Sequence, residues 1–339
     1  MGNVIKLVKR KYKDDEPIQN LLSLIENDFV KVENLIKQQI ISEVDRIPNL
    51  ANHIIQLGGK RLRPILTLTC SKICGYTGDK HINLAAAVEL MHTATLLHDD
   101  VVDESNLRRG KTTSHILWDN KSSILVGDFL LGKAFQLMVE SRSLDSLKNL
   151  SDASVKIAEG EVMQLISSEN IKTTEDQYME IIEAKTASLF STSCVVGGLI
   201  SNSKEEEIEA LLSFGRNIGI TFQLKDDALD YFGKKEELGK NPGDDFFEGK
   251  VTLPIILAYR RGNKDEKEFL KNTFEEKIRN KNALKKTTEI IRKYKTIEDT
   301  LERANHHGKI AKDALEIFPD DPFKNALMKL VDFSIVRSN

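Results

Sequence analysis

Apolar side chains recur at helical spacing along almost the whole chain. The stretch 208–222 shows this pattern, and a second stretch has apolar or small residues at steps of three and four: Leu84, Val88, Met91 and Thr95. Such spacing is typical of helices that bury one face. Alternating runs bounded by turns, which would indicate strands, are missing. The sequence therefore predicts an all-α protein.

Turn-forming residues separate these predicted helices, but none of the separating segments has the composition of a flexible linker. The longest of them, 232–250, mixes glycine and proline with charged residues. A chain of 339 residues could hold two average domains, although single-core helical proteins also reach this length. We predict one helical domain over 20–339, preceded by a flexible basic N-terminus over 1–19.

Composition limits the class of partner and the compartment. A net charge of −3 gives no excess of base that would favour nucleic acid as a partner. The apolar stretches fall short of the roughly 20 residues needed to cross a bilayer, so we expect no stable membrane insertion. Cys70, Cys74 and Cys194 form no CxxC pair and leave an odd count. This favours a reducing compartment, the cytoplasm.

Two acidic motifs share one pattern. HDDVVD at 98–103 is echoed by KDDALD at 225–230, and each follows an apolar helical stretch. Asp99 and Asp103 stand four residues apart, hence on one helix face about 5–6 Å apart. At an effective dielectric constant of about 20, two such carboxylates repel each other by roughly 3 kcal/mol. An all-oxygen site of this kind suits Mg²⁺ better than zinc, and Mg²⁺ leaves coordination positions that phosphate oxygens fill.

A single motif of this kind is more often a solvated helix end than a metal site. Two copies change that balance, because acidic residues near a helix C-terminus are disfavoured by the helix dipole. Two violations of this local preference are typical of a functional site.

Basic residues near the acidic motifs predict anion binding. GGKRLRP at 58–64 places two glycines before Lys60 and Arg63, with Pro64 suited to the first turn of a helix. Backbone amides at such a start, together with long basic side chains, form an anion site. Further bases follow the acidic motifs or stand between them: Arg108, Arg109, Lys185, Lys240 and Lys250. Each alone would be a solvated charge, but jointly they indicate two diphosphate groups.

Five segments together resemble the signatures of one enzyme family. GGKRLRP, ELMHTATLLHDDVVDESNLRRG, EAKTASLF, FQLKDDALDYFG and LGKNPGDDFFEGKVTLP are similar, in order and spacing, to those of trans-isoprenyl diphosphate synthases. The resemblance runs from about residue 20 to the C-terminus and is closest to the long-chain bacterial members. It implies a homodimer of all-helical subunits with the isoprenoid-synthase fold, each built around a deep central cavity that carries both acidic motifs at its mouth.

The resemblance also implies a role for individual residues. Seven would be catalytic: Asp99, Asp100, Asp103, Asp226, Asp227, Asp230 and Lys185. Three of the aspartates would be direct ligands of about three Mg²⁺ ions: Asp99, Asp103 and Asp226. Isopentenyl diphosphate would be bound by Lys60, Arg63, His92 and Arg109. The allylic diphosphate would contact Arg108, Lys185, Thr186, Gln223, Lys240 and Lys250.

The implied reaction condenses isopentenyl diphosphate with an allylic diphosphate, farnesyl diphosphate in the expected case. The allylic C–O bond ionises with help from Mg²⁺, the isopentenyl double bond attacks, and a proton is lost. The expected product is all-trans, of about eight isoprene units or C40, and would serve as the side chain of a quinone. Peripheral contact with a membrane for product release stays open.

Chain length should depend on the residues below the first acidic motif. Ala94 and Thr95 precede Asp99 by five and four residues, and short-chain relatives carry bulky aromatic residues there. Small side chains at these two positions predict an open shaft. The resemblance implies a floor near Met138 and Leu150, although both could equally be ordinary core residues.

One residue departs from the family pattern. Lys225, immediately before the second acidic motif, stands where the family usually has an apolar residue. It could turn outward with little effect, or it could partly neutralise Asp226 and weaken metal binding.

Three alternatives remain at this level. A terpene cyclase would share the helices and the metal but would not need Lys60, Arg63 and Arg109. A non-catalytic subunit of a heteromeric synthase typically lacks one acidic motif, and both are intact here. A shorter-chain, geranylgeranyl-forming synthase would differ in the shaft.

Overall fold

The computed structural model describes residues 16–232 and 243–336, and this part of the chain is almost entirely helical. The prediction of an all-α protein is confirmed. The helices of the first half are α1 Glu16–Leu24, α2 Glu26–Gln39, α3 Arg46–Gln56, α4 Leu62–Ile73, α5 Lys80–Val102, α6 Ser114–Leu117, α7 Asn120–Glu140 and α8 Leu144–Ser167. Those that follow are α9 Glu175–Ile182, α10 Ser188–Ile200, α11 Glu205–Phe232, α12 Asp244–Glu248, α13 Leu253–Arg261, α14 Lys264–Glu275, α15 Lys281–Lys293, α16 Thr296–Ala314 and α17 Pro322–Val336.

The helices group into two compact units, each assembled from separate parts of the chain. The first unit contains the described parts of Met1–Ser154 together with Leu189–Gly215 and Lys312–Val331. The second contains Val155–Ser188, Arg216–Ala311 and the described part of Asp332–Asn339. The predicted domain limits stay a prediction.

The N-terminal boundary differs from the sequence-based expectation. Helix α1 begins at Glu16, inside the segment 1–19 that we predicted to be flexible, and it buries Ile18 completely. Residues 1–15 lie outside the described residues.

Helix α5 forms the centre of the first unit. It packs against α2, α4 and α7, and its apolar side chains are buried around most of its circumference, with small residues at 85–87 fully enclosed. A helix that is apolar on nearly every side is typical of a core position. The C-terminal half of α5 carries His92 and the first acidic motif.

A glycine in α7 fixes the position of that C-terminal half. A Cβ atom at Gly127 would lie 2.2 Å from Nε2 of His98, so the missing side chain makes room for the imidazole ring. Nε2 of His98 lies 3.1 Å from the carbonyl oxygen of Ile124. The contact holds α5 immediately before Asp99.

The second unit has a core of its own. Aromatic and branched side chains from α9, α11, α13, α14 and α15 form one buried cluster. Phe246 of α12 packs edge-on against Phe274 of α14, with ring centroids 5.6 Å apart. This core supports the part of α11 that carries the second acidic motif.

A short hairpin interrupts the helices after the first acidic motif. Strand β1, Leu107–Arg108, pairs antiparallel with β2, Lys111–Thr112. The two residues between them, Arg109 and Gly110, both have positive φ angles of 53° and 73°, as a type I′ turn requires. The sequence shows no alternating pattern at these residues, because two-residue strands are too short for one.

One helix of the first unit is longer and more apolar than we expected from the sequence. Among the described residues, α7 is long and apolar enough to cross a membrane by length and composition, and 39% of its most apolar window is buried. Core helices of soluble proteins pass the same test, so the expectation of no stable membrane insertion stays a prediction.

Candidate active site

One line of side chains on α5 escapes the general burial of that helix. His92, Leu96, Asp99 and Asp103 are half-buried, whereas Leu97 and Asp100 are almost completely enclosed. The accessible residues are spaced by three or four positions, so they lie on one helix face. A single face of α5 thus runs from the predicted isopentenyl diphosphate ligand His92 to the predicted metal ligands Asp99 and Asp103.

Asp100 points away from that face and pairs with the hairpin. Nε of Arg108 donates to Oδ1 of Asp100 at 2.6 Å. Burial raises the pKa of Asp100, and the Arg108 charge opposes this shift. The second oxygen of Asp100 is buried and has no hydrogen-bond partner in the described part of the chain. Asp100 therefore anchors Arg108 close to the first acidic motif.

Arg109 is directed to the glycine pair before α4. A Cβ atom at Gly59 would lie 2.7 Å from Nη1 of Arg109, so a side chain at this position would displace the guanidinium group. Gly59 also has a φ of 148°, which glycine adopts more readily than other residues. The two consecutive arginines of the hairpin thus contact different segments. Arg108 pairs with the first acidic motif, and Arg109 lies against the segment next to Lys60.

Arg63 and His92 share the surroundings of Arg109. The Arg63 guanidinium group lies 4.4 Å from the centroid of the Phe190 ring, and its Nε is buried without a hydrogen-bond partner among the described residues. Burial lowers the pKa of Arg63 to about 10, and the charge of Arg109 acts in the same direction. Burial lowers the pKa of the His92 imidazole well below its ordinary value, and Arg63 and Arg109 lower it further.

Three of the four residues predicted to bind isopentenyl diphosphate therefore interact electrostatically: Arg63, His92 and Arg109. The fourth, Lys60, adjoins Gly59 in the chain. Positive groups so close together repel one another, and an anion relieves that repulsion. The neutral His92 and the unsatisfied N–H of Arg63 add hydrogen-bond donors. This part of the first unit has the chemistry of a phosphate site.

In the second acidic motif, the Asp227 carboxylate accepts hydrogen bonds from two protein side chains. The hydroxyl of Tyr178 donates to Oδ2 at 2.6 Å, and Nε2 of Gln223 donates to Oδ1 at 2.7 Å. Burial raises the pKa of Asp227 to about 7, the nearby Asp245 raises it, and the two donors oppose the shift. Asp227 thus orients its neighbours, while Asp226 remains half-buried.

Asp230 holds the chain where it returns after the segment 233–242. Its side chain is fully buried. Oδ2 accepts from the backbone N–H of Asp245 at 3.2 Å, and its carbonyl oxygen accepts from Gly243 at 2.8 Å. A carboxylate at the start of a short helix such as α12 also satisfies N–H groups that have no partner within the helix.

A π-helical turn presents Lys185 and Thr186. Glu183–Ala187 forms this turn between α9 and α10, and such turns are frequent at functional sites. Gly160 of α8 makes room for it, since a Cβ there would lie 2.7 Å from the backbone nitrogen of Lys185. Nζ of Lys185 lies 2.6 Å from Oε2 of Glu161.

Thr186 links the π-helical turn to the second acidic motif. Its hydroxyl donates to Oε1 of Gln223 at 2.8 Å, and the amide of Gln223 donates to Asp227. The predicted residues Thr186 and Gln223 are therefore brought together in the second unit. Lys250 lies in the same unit, where its Nζ is 2.7 Å from Oε2 of Glu248. Lys240, also predicted to bind the allylic diphosphate, lies outside the described residues.

Lys225 does not turn outward, so the first of our two interpretations is wrong. The side chain is buried, and its ammonium group donates to the carbonyl oxygen of Ile335 at 2.7 Å. Lysine commonly binds carbonyl groups at a helix C-terminus in this way, and Ile335 lies in the last turn of α17. The residue therefore ties α17 to α11.

The exposure of the acidic residues fits the predicted division of roles. The three predicted metal ligands Asp99, Asp103 and Asp226 are partly accessible, while the other three aspartates are buried. Their donor atoms are all oxygen, as Mg²⁺ prefers, and Mg²⁺ typically takes only one or two carboxylates beside phosphate and water. Within the described ranges, no group of three or more His, Cys, Asp and Glu side chains is arranged to hold a metal ion. The residues present fit Mg²⁺ that is bound together with a diphosphate.

The predicted chain-length residues all lie in the first unit. Thr95 lies beside the accessible face of α5, whereas Ala94 is 1% exposed. Met138 of α7 and Leu150 of α8 are fully buried. The open shaft and its floor therefore stay predictions.

Several residues of the site escaped the sequence analysis. Glu161, Glu248 and Tyr178 are partners of the predicted residues Lys185, Lys250 and Asp227. Glu161 and Tyr178 pair with residues 24 and 49 positions away, which no local pattern indicates. The charge of the bases alone could have indicated that carboxylates must be near.

Comparison with known proteins extends this description. Residues 44–291 match the family model described as polyprenyl synthetase. The octaprenyl diphosphate synthase of Escherichia coli K12 is 39% identical over 320 residues, which cover 94% of this chain and 99% of the relative.

Two solved structures are similar in fold and sequence. The polyprenyl synthase of Caulobacter crescentus CB15, complexed with calcium and isoprenyl diphosphate, has a TM-score of 0.92 and 44% identity, and the match covers 95% of this chain and 98% of that one. The decaprenyl diphosphate synthase of Rhodobacter capsulatus has a TM-score of 0.91 and 44% identity, with 95% and 99% covered. The chain therefore belongs to the polyprenyl synthetase family and is a prenyltransferase with the all-α fold of that family.

Proposed function

We propose that the protein condenses isopentenyl diphosphate with farnesyl diphosphate, repeatedly, to an all-trans product of about eight isoprene units for a quinone side chain. One observation carries the proposal: a single accessible face of α5 connects His92, in the cluster of Arg63 and Arg109, with Asp99 and Asp103. A phosphate site and a carboxylate pair on one face are what the joining of two diphosphate substrates requires.

Isopentenyl diphosphate would be held by charge and by hydrogen bonds. Lys60, Arg63 and Arg109 supply positive charge, and the guanidinium groups donate in a planar geometry that matches phosphate oxygens. The lowered pKa of His92 keeps its imidazole neutral near pH 7, so it can donate one N–H without adding to the repulsion among the bases. The homoallylic chain would then lie along α5 toward Asp99.

The allylic diphosphate would be held by the remaining bases. Arg108, Lys185 and Lys250 each pair with a carboxylate in the structure: Asp100, Glu161 and Glu248. A diphosphate carries more negative charge than one carboxylate, so it can draw each base from its partner or share it. Lys240, Thr186 and Gln223 would complete these contacts.

The acidic residues of both motifs would act on this diphosphate. Asp99, Asp103 and Asp226 would bind about three Mg²⁺ ions, which neutralise the diphosphate as the allylic C–O bond breaks. Asp100, Asp227 and Asp230 would fix Arg108, Gln223 and the segment at Gly243 around them.

The protein need supply no nucleophile for this reaction. The C–O bond breaks, the isopentenyl double bond forms the new C–C bond with the allylic cation, and a proton leaves from the adjacent carbon to the departing diphosphate. Water would trap the cation, so the apolar residues that enclose α5 contribute by excluding water.

A second copy of the chain would cover an apolar surface of the first unit. The stretch 116–125 exposes four large apolar side chains: Ile116, Leu117, Ile124 and Leu125. Apolar patches on a protein surface often mark an interface. We propose a homodimer joined at this stretch.

We also propose that the protein acts in the cytoplasm. Its cysteines Cys70 and Cys194 are free and buried, as is usual for proteins of a reducing compartment.

The first prediction concerns the reaction and its metal dependence. Purified protein should transfer radiolabelled isopentenyl diphosphate to farnesyl diphosphate when Mg²⁺ is present and should lose this activity with EDTA. Asp99→Asn and Asp226→Asn should each lower kcat/KM by about 100-fold or more, because each removes a carboxylate ligand of the Mg²⁺ that stabilises the leaving diphosphate. Asp152→Asn, on an exposed part of α8, should behave as wild type. No incorporation from any allylic primer would support the non-catalytic subunit instead.

The second prediction concerns chain length. Ala94→Phe should shorten the product, measured by chromatography of the dephosphorylated prenols, and should leave the free energy of unfolding nearly unchanged if the side chain enters an open shaft. If Ala94 belongs to a closed core, the phenyl ring should instead destabilise the protein by about 1–3 kcal/mol without a shift in product. A wild-type product that stops at geranylgeranyl diphosphate would contradict the open shaft directly.

The third prediction concerns the oligomer. Light scattering after size exclusion should give the wild-type mass of a dimer. Leu125→Glu, at a residue 65% exposed, should shift this mass toward the monomer, because a buried unpaired charge is costly. Ile278→Glu, which changes an exposed apolar residue of the second unit, is the control and should remain dimeric. A dimeric Leu125→Glu variant would place the interface elsewhere.

The fourth prediction concerns Lys225. Lys225→Met should lower the free energy of unfolding by about 1–3 kcal/mol, because the carbonyl of Ile335 loses its charged donor. The Mg²⁺ concentration for half-maximal turnover should not change. Lys324→Met is a matched control, since Lys324 is also buried and donates to the carbonyl of Phe318 at 3.0 Å. A change in Mg²⁺ dependence in the Lys225 variant alone would show that this charge acts on Asp226.

A further inference from the structure

Arg61 lies between two residues predicted to bind isopentenyl diphosphate but is turned away from them. It directly follows Lys60 and precedes Arg63 by two residues, and its backbone is left-handed, with φ 50° and ψ 33°. Outside glycine this conformation costs about 1–2 kcal/mol, so the surroundings must hold it. The side chain is only 7% exposed.

Three contacts from three helices hold the Arg61 guanidinium group. Nη1 donates to Oε1 of Glu89 on α5, Nε lies 3.3 Å from Oε1 of Glu33 on α2, and Nη2 donates to the carbonyl of Ile55 near the end of α3 at 3.4 Å. Glu89 is itself almost fully buried. Burying these charges is costly unless they are paired, so the position of Arg61 is strongly constrained.

Glu89 connects this ion pair with the phosphate site. It stands one helical turn before His92 on α5, and its charge raises the pKa of Arg63, against the effect of burial. Glu89 and Arg63 are therefore close enough to attract each other. Arg63 nevertheless makes no ion pair within the described residues, and its Nε is left without a partner, while Glu89 is bound by Arg61.

We infer that Arg61 is a positioning residue for isopentenyl diphosphate: it holds Glu89 away from Arg63 and fixes the backbone between Lys60 and Arg63. Without Arg61, Glu89 is a buried carboxylate that has lost its cation and still attracts the charge of Arg63. Pairing with Glu89 would draw Arg63 from the substrate diphosphate. The inference rests on the proposed function, because it concerns how the residues of the proposed isopentenyl diphosphate site are held in position.

Steady-state kinetics with both substrates varied tests this inference. Arg61→Met should raise KM for isopentenyl diphosphate by about tenfold or more, the size of one lost charged hydrogen bond, and leave KM for the allylic primer within about twofold. The double variant Arg61→Met with Glu89→Gln should recover most of this loss, because the neutral amide no longer competes for Arg63. Lys72→Met is the control: it removes an ion pair of 2.9 Å between α4 and Asp28 of α2 and should change neither KM.

Other outcomes overturn the inference. If Arg61→Met raises both KM values alike, or if the double variant is worse than the single one, Arg61 has a general structural role. If Arg61→Met does not fold, Arg61→Lys and Glu89→Gln replace it: the first should raise KM for isopentenyl diphosphate less than tenfold, and the second should leave it near wild type. Equal KM values in Arg61→Lys and wild type, with a raised value in Glu89→Gln, would contradict the role given to Arg61.

The activity of the wild-type protein distinguishes a failure of the proposed function from a failure of the inference about Arg61. Wild-type protein without prenyl transfer from any primer would refute the proposed function itself. Active wild-type protein with an unselective Arg61 effect would refute only the inference.

Discussion

Repulsion between like charges is the constraint on which the site depends. The sequence gathers aspartates in two motifs and bases in several segments, and neither sign can be concentrated without compensation. In each unit the structure meets this requirement with ion pairs, such as Arg108 with Asp100 and Lys185 with Glu161. The accessible carboxylates of Asp99, Asp103 and Asp226 and the unsatisfied N–H of Arg63 are the groups that we propose for binding the metal ions and the diphosphates.

The two acidic motifs look alike in sequence but are stabilised differently. In the first motif, Asp100 is neutralised by a guanidinium group from the hairpin that follows it. In the second, Asp227 accepts from the neutral groups of Tyr178 and Gln223. Burial and the nearby Asp245 raise its pKa to about 7, against the effect of these two donors. The first motif thus pairs its buried Asp100 with a cation, whereas the buried Asp227 of the second motif is hydrogen-bonded by neutral groups.

Much of the fold and the site was accessible from sequence, for physical reasons. Helical periodicity and the two acidic motifs are local patterns, and the matching segments in order identified the family correctly. The hairpin was missed because two-residue strands leave no alternation, although the Arg109-Gly110 pair suits its turn. The contacts of Arg61, Lys185 and Lys225 depend on partners 24 to 110 residues away, and no local pattern specifies such partners. Asp226 and Asp227 differ in burial, and residue spacing does not indicate this difference.

Product length depends on a different kind of interaction from the charges. The charged groups act through distance and geometry, which motif spacing on a helix largely determines. A shaft depends instead on the volume left by side chains from several helices, and Ala94, Met138 and Leu150 belong to three of them. Interiors are close-packed, so a single added ring must either find existing space or strain its neighbours. Members of the family can therefore share the acidic motifs while they differ in product, because small changes of volume leave the charged site unaltered.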